Sequence, residues 1–108
     1  MSAAIPTREP DHVRQGDTVT WLKELGDWPP ADGWTLKYAF AKSDARILIT
    51  ATDNGDGRHL IDEAATSTAD WAIGHYEGHA VVENAGGERY TVWRGRLEVR
   101  PGLHLASA

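Results

Sequence analysis

Apolar and polar side chains alternate with a period of two along most of this chain, the spacing that turns one face of an extended strand to a core and the other to water. The clearest run is Trp34-Thr35-Leu36-Lys37-Tyr38-Ala39-Phe40, with Trp34, Leu36, Tyr38 and Phe40 on one face. Thr18 to Lys23, rich in β-branched and aromatic residues, reads as a strand before it, and Arg46 to Thr52 as one after it, with Ile47, Ile49 and Ala51 alternating. His59 to Asp62 resumes an extended run, and Tyr76 to Glu83 sets Tyr76, Gly78, Ala80 and Val82 on one side. Glu88 to Arg100 is the last and longest strand. Its apolar parity changes between Tyr90 and Val92, which are even, and Leu97 and Val99, which are odd, and this predicts a β-bulge near Gly95.

The breaks are equally legible. Gly16-Asp17, Ser43-Asp44, Asp53 to Gly57 and Asn84 to Gly87 carry the residues that accept tight turns, and the adjacent Pro29 and Pro30 exclude a ladder between Gly26 and Gly33. The Ala-rich stretch from Ala64 to Trp71, with Thr66, Ser67 and Thr68 as candidate caps, predicts a single helical turn. Residues 1–10 read as a flexible N-terminal arm able to pair as a short edge strand, residues 11–101 as the folded domain, and residues 102–108 as a frayed tail. Six or seven short strands with no βαβ alternation predict an all-β fold, an immunoglobulin-like antiparallel β-sandwich of about seven strands with one short helical turn. Asp70 to Tyr76 fits either a tyrosine corner, in which the phenol bonds back to nearby backbone, or a plain helix-to-strand turn.

Composition narrows the function. The 108 residues are one domain's worth, with room for one modest core and little surface for a deep cleft. A net charge of -5, with the basic residues scattered along the sequence, argues against nucleic acid as a partner. There are no cysteines, so disulfides, thiol catalysis and thiolate zinc sites are excluded. No run approaches the roughly 20 apolar residues of a membrane helix. The first residues lack the pattern of a secretory signal, which fits synthesis in the cytoplasm.

The residues able to carry chemistry do not assemble into a catalytic motif. His75, Glu77 and His79 share a strand face, but two histidines four residues apart on a strand stand about 13 Å from one another, too far to share an ion. Only a cross-strand His59 would bring a third ligand, as in a cupin-type metal enzyme. Thr52 to Glu63 departs from a calcium loop at its first position and lies between strands. No nucleophile elbow or phosphate loop is present. The expectation is a protein that is not an enzyme and needs no cofactor. Trp28, in the Pro-rich loop, is a candidate partner anchor or sugar platform, with a lid folded onto the sandwich end as the plainer reading. Trp93, assigned to the face opposite Val92, and the outward-facing His75 and His79 complete the candidate interface. Trp21, Trp34 and Trp71 are assigned to the core.

Gly16-Asp17-Thr18-Val19-Thr20-Trp21, Asp27-Trp28-Pro29-Pro30-Ala31-Asp32-Gly33-Trp34-Thr35-Leu36-Lys37-Tyr38, Thr68-Ala69-Asp70-Trp71-Ala72-Ile73-Gly74-His75-Tyr76 and Glu88-Arg89-Tyr90-Thr91-Val92 together resemble small proteins encoded in the structural gene clusters of tailed phages and prophages. The resemblance spans roughly Gly16 to Leu103. A related Gly-Asp-Thr opening occurs in the N-terminal β domains of some phage baseplate proteins. Many members continue into a helical segment that this sequence does not include. The matching motifs are structural, so the resemblance implies no active site. It implies a virion-associated protein of a head, connector or tail, made in the cytoplasm. Its partners would be other phage structural proteins or further copies of itself, with no nucleic acid and no membrane. A carbohydrate- or ligand-binding module on the same sandwich is the alternative.

Overall fold

A computed structural model describes residues 5–102. The strands are β1 (His12–Arg14), β2 (Val19–Lys23), β3 (Thr35–Lys42), β4 (Ala45–Thr50), β5 (Thr52–Asp53), β6 (His59–Glu63), β7 (Gly74–Glu83) and β8 (Arg89–Arg100). One helical turn, α1 (Ala65–Thr68), lies between β6 and β7, and a 3-10 turn spans Pro30–Asp32. They build a five-stranded sheet in the order β1-β8-β7-β3-β4 and a three-stranded sheet in the order β2-β6-β5. This order resembles the variable-type immunoglobulin arrangement, with β2, β6 and β5 in one layer and β4 added beside β3 in the other. The expected sandwich class holds, with eight strands rather than about seven.

One departure lies at the N-terminal side. β1 runs parallel to β8, so the larger sheet is not wholly antiparallel. Three residues with one buried side chain, Val13, carry too little alternation to announce a strand. Ahead of it, the Pro6 carbonyl accepts the Leu22 amide on β2, and the Asp11 carbonyl accepts the Glu98 amide on β8. The stretch from Pro6 to Arg14 thus passes from the edge of one sheet to the edge of the other. Of the flexible arm expected over residues 1–10 and the frayed tail expected over residues 102–108, positions 1–4 and 103–108 lie outside the described residues.

Alternation does fill the core as the pattern predicts. Leu36, Tyr38 and Phe40 of β3, Ile47 and Ile49 of β4, Tyr76, Ala80 and Val82 of β7, and Leu97 and Val99 of β8 meet Trp21 of β2 and Ile61 of β6 between the layers. Trp34 and Trp71 pack against this cluster half-buried. The tyrosine corner is present: the Tyr76 hydroxyl donates to the Ala72 carbonyl at 2.6 Å. The bulge sits elsewhere than expected. The register slips between Ala80 and Val81, leaving Val92 as the extra residue opposite them, while Gly78 and Gly95 pair normally. The cap of α1 also differs. Ala64 holds the N-cap position without a side-chain bond. Thr68 is buried instead, its hydroxyl donating to the Asp17 carbonyl at 2.7 Å and accepting the Gly16 amide at 3.1 Å.

A buried polar chain fastens the arm to both layers. The Trp21 indole N–H donates to the Tyr38 hydroxyl at 3.3 Å, and that hydroxyl donates to Glu9 Oε2 at 2.8 Å. Lys23 Nζ stands 2.9 Å from the same oxygen, and the Glu9 side chain is only 8% exposed. Burial holds the Tyr38 phenol far above its ordinary pKa of 10.0; the Glu9 carboxylate pushes the same way, and the Trp21 indole pulls against both. The folded value therefore exceeds the unfolded one. The neutral phenol stabilises the fold below pH 10, and this contribution drains away as pH climbs above 10, at up to about 1.4 kcal/mol per pH unit. Urea midpoints are expected to hold steady near neutrality and to fall above pH 10, with a shallower fall in Tyr38→Phe. Parallel slopes in the two proteins would disprove the assignment.

Candidate functional site

The outer face of the five-stranded sheet gathers what the sequence scatters. Register places His12, Glu98 and His75 in one row across β1, β8 and β7. The next rows are Arg96, Glu77, Ala41 and Arg46, then Arg94, His79, Ala39 and Leu48, on β8, β7, β3 and β4. Beyond the bulge follow Thr91, Val81, Lys37 and Thr50, then Arg89, Glu83 and Thr35. Side chains on these rows point away from the core because they alternate with the inward Leu36, Tyr38 and Phe40 of β3, Ile47 and Ile49 of β4 and Tyr76, Ala80 and Val82 of β7, and register carries the same face onto β8.

The rows differ in how far their charges are neutralised. Glu83 takes an ion pair from Lys37 and another from Arg89 at 2.9 Å, which holds its carboxyl below the usual carboxylate range. Glu98 accepts Arg100 Nε at 2.9 Å. The guanidinium groups of Arg46, Arg94 and Arg96 make no hydrogen bond or ion pair among the described residues. Small side chains, Ala39 and Ala41, lie between these cations, and Leu48 beside them is 69% exposed. An open depression of about 830 Å³ runs over the β7–β8 half of this face, lined by Glu77, His79, Val81, Arg94 and Arg96 among others. Small residues flanked by exposed guanidinium groups that hold no protein partner suit a protein contact. Arginine there supplies directional donors at a lower desolvation cost than an ammonium.

The candidates from sequence divide between this face and the interior. His75 and His79 stand on it, exposed, opposite Glu98 and Arg94 respectively. His59 does not join them: it belongs to the other sheet, is buried, and its Nε2 lies 2.8 Å from the Trp28 carbonyl oxygen. Among the described residues no three His, Asp or Glu side chains gather where they could share an ion. Trp93 also departs from its expected place. The bulge at Val92 restores it to the inner side opposite Ala80, where its ring meets Tyr38 at 5.7 Å and Phe40 at 6.0 Å. Trp28 is a half-buried lid at the sandwich end, its ring 5.8 Å from Tyr90, which in turn lies 5.9 Å from Trp34. Tyr90 is 45% exposed and gives this end an aromatic rim. No helix among the described residues is long and apolar enough to cross a membrane.

The fold has counterparts among solved structures. A putative glycoside hydrolase from Bacteroides vulgatus ATCC 8482 superposes with a TM-score of 0.55 at 16% identity, over 86% of this chain. The chain spans only 17% of that protein's length, so what the two share is a sandwich domain. The N-terminal domain of phage TP901-1 ORF48 aligns over 89% of this chain and 93% of its own length, with a TM-score of 0.48 and 12% identity. No protein-family model matches the chain, and no curated protein matches it in sequence.

Proposed function

We propose that the chain is a non-catalytic assembly module of a phage or prophage particle, joined to neighbouring subunits through the outer face of its five-stranded sheet. The phage assignment rests on the sequence motifs that resemble tailed-phage structural proteins. The contact surface rests on one observation: Arg46, Arg94 and Arg96 stand unpaired around Ala39, Ala41 and the exposed Leu48. An exposed guanidinium with no protein partner exchanges its water for a partner's carboxylate without breaking an ion pair of its own. The partners in this reading are other virion subunits or further copies of the chain, and the protein passes from cytoplasm to particle as the virion forms.

Mass spectrometry of particles purified from a host that expresses the tagged chain tests the proposal. The wild-type protein is expected at a fixed copy number per particle. Arg94→Glu/Arg96→Glu is expected to fold normally and to drop at least about tenfold in incorporation, because reversing charges across a contact adds repulsion to the lost attraction. Absence of the wild-type chain from particles, or equal incorporation of the variant, would defeat this reading. The aromatic rim of Trp28, Trp34 and exposed Tyr90 supports a second reading, a sugar-binding module. A shift of tryptophan emission on titration with oligosaccharides, lost in Tyr90→Ala, would favour it over assembly.

A further inference from the structure

Charge is distributed across this molecule with a strong polarity. Of its eleven Lys and Arg residues, seven lie on the outer face of the five-stranded sheet: Arg14, Lys37, Arg46, Arg89, Arg94, Arg96 and Arg100. Only three of the sixteen acids share that face, Glu77, Glu83 and Glu98, so it carries +4. The remainder keeps four basic residues against thirteen acids, or -9, and the two together restore the net -5. The acids also concentrate. Glu24 follows β2, Asp53 ends β5, Asp56 lies in the hairpin turn before β6, and Asp27 and Asp32 sit in the loop whose 3-10 turn packs against β5. All five are exposed and meet at one end of the three-stranded sheet, where Lys23 pairs with His59 and Asp53 with the same residue. Two basic residues share this end and both are already paired: Asp56 accepts Arg58 Nε at 2.9 Å, and Lys23 pairs with Glu9 at 2.9 Å.

We propose, building on the assembly reading, that the cationic sheet face of one copy docks on this acidic end of the next. The two surfaces are different patches of one chain, so the contact is heterologous, and repetition produces a ring or an open filament rather than a closed two-fold dimer. Complementary potentials fix which surfaces meet and speed the encounter. The sheet face measures roughly 19 Å across its strands and 27 Å along them, from strand spacing and rise. That is about 500 Å², below the roughly 800 Å² per partner of a stable pair. The single contact is therefore weak, salt-sensitive and suited to an array in which each copy makes two. A polynucleotide fits the face less well, because Glu77, Glu83 and Glu98 interrupt the cationic rows and would repel phosphates.

Sedimentation velocity of the full chain over a concentration series tests the contact. At about 0.01 M salt, where the Debye length is about 30 Å, the weight-average mass is expected to rise with concentration; at about 1 M, where it is about 3 Å, the protein is expected to be monomeric. Arg94→Glu/Arg96→Glu and Glu24→Lys/Asp27→Lys are each expected to remain monomeric at low salt, with at least about a tenfold weaker association. Mixing the two variants is expected to restore pairing, since each keeps one native surface and the reversed surfaces again complement each other. A wild-type chain that stays monomeric at low salt would overturn the proposal. So would association untouched by either pair of substitutions, or binding of single-stranded DNA that Arg94→Glu/Arg96→Glu abolishes while self-association is nil. Particles that lose Arg94→Glu/Arg96→Glu but incorporate Glu24→Lys/Asp27→Lys normally would retain the assembly face and reject the self-contact.

Discussion

Trp21→Ala is expected to lower folding stability by about 3–5 kcal/mol, the range for deleting a large aromatic from a packed core. The side chain is 2% exposed and reaches from β2 into the space between the layers. It is edge-on to Tyr38 at 5.1 Å, and its N–H donates to the Tyr38 hydroxyl. With no cysteine in the chain, no disulfide joins the layers, and this aromatic pair links β2 to β3 across them. Truncation therefore removes apolar area, an aromatic contact and a link in the chain that runs to Glu9 and Lys23. Total stability of small domains is about 5–15 kcal/mol, so the variant is expected to sit near its unfolding midpoint under mild conditions. Urea melts followed by circular dichroism give the number. Trp21→Phe, which keeps most of the area and forfeits the hydrogen bond, is expected to lose roughly half as much. A loss below about 1 kcal/mol for alanine would mean that the layers do not meet through this residue.

What the sequence makes legible, and what it hides, follows from the range of the forces involved. Strands β3, β4 and β7 are visible because each buries one face, and burial writes a period of two into neighbouring residues. The tyrosine corner is visible for the same reason of locality, since Tyr76 bonds only four residues back. Pairing in space has no such local trace. β1 exists because β8 accepts it in parallel, and nothing within residues 12–14 reports that edge. The bulge was legible as a change of parity, but Gly95 drew it away from Val92, because a glycine in a strand has more than one use. That three-residue displacement inverts the orientation read for Trp93. The candidate face was hidden altogether. Arg46, Lys37, His79, Arg94 and Arg96 come from four strands, and only the register of β8, β7, β3 and β4 collects them. A net charge of -5 averages over a molecule whose five-stranded sheet face and remainder differ in sign. Composition could exclude a uniformly basic surface but could not see a local one.

Gly78 and Gly95, opposite each other on β7 and β8, are expected to lose stability on gaining a side chain, and the reason is a ring on the inner face rather than backbone conformation. A Cβ added at Gly95 would stand 2.4 Å from Trp93 Cζ2, and one added at Gly78 would stand 2.4 Å from Phe40 Cδ1. Both distances are far inside van der Waals contact, and neither glycine has a positive φ that would explain it otherwise. The two sites differ in how the strain can be relieved. Phe40 is 1% exposed and stacked on Tyr38 at 6.0 Å, so it has nowhere to go, whereas Trp93 is half-buried and can swing towards solvent. Gly78→Ala is therefore expected to cost about 2–3 kcal/mol and Gly95→Ala about 1–2 kcal/mol, within the range for overpacked cores. The cause is separable by a double-mutant cycle. If the clash is with the indole, Gly95→Ala combined with Trp93→Leu should lose less stability than the two changes summed, by about 1 kcal/mol. Strict additivity would show that Gly95 serves the strand itself, for instance by easing the ladder next to the bulge. Because both substitutions act from the inner side, Arg94, Arg96 and Arg46 keep their places on the outer face. A Gly95→Ala protein that is less stable but still incorporates into particles would separate the packing that builds the sheet from the surface that the sheet displays.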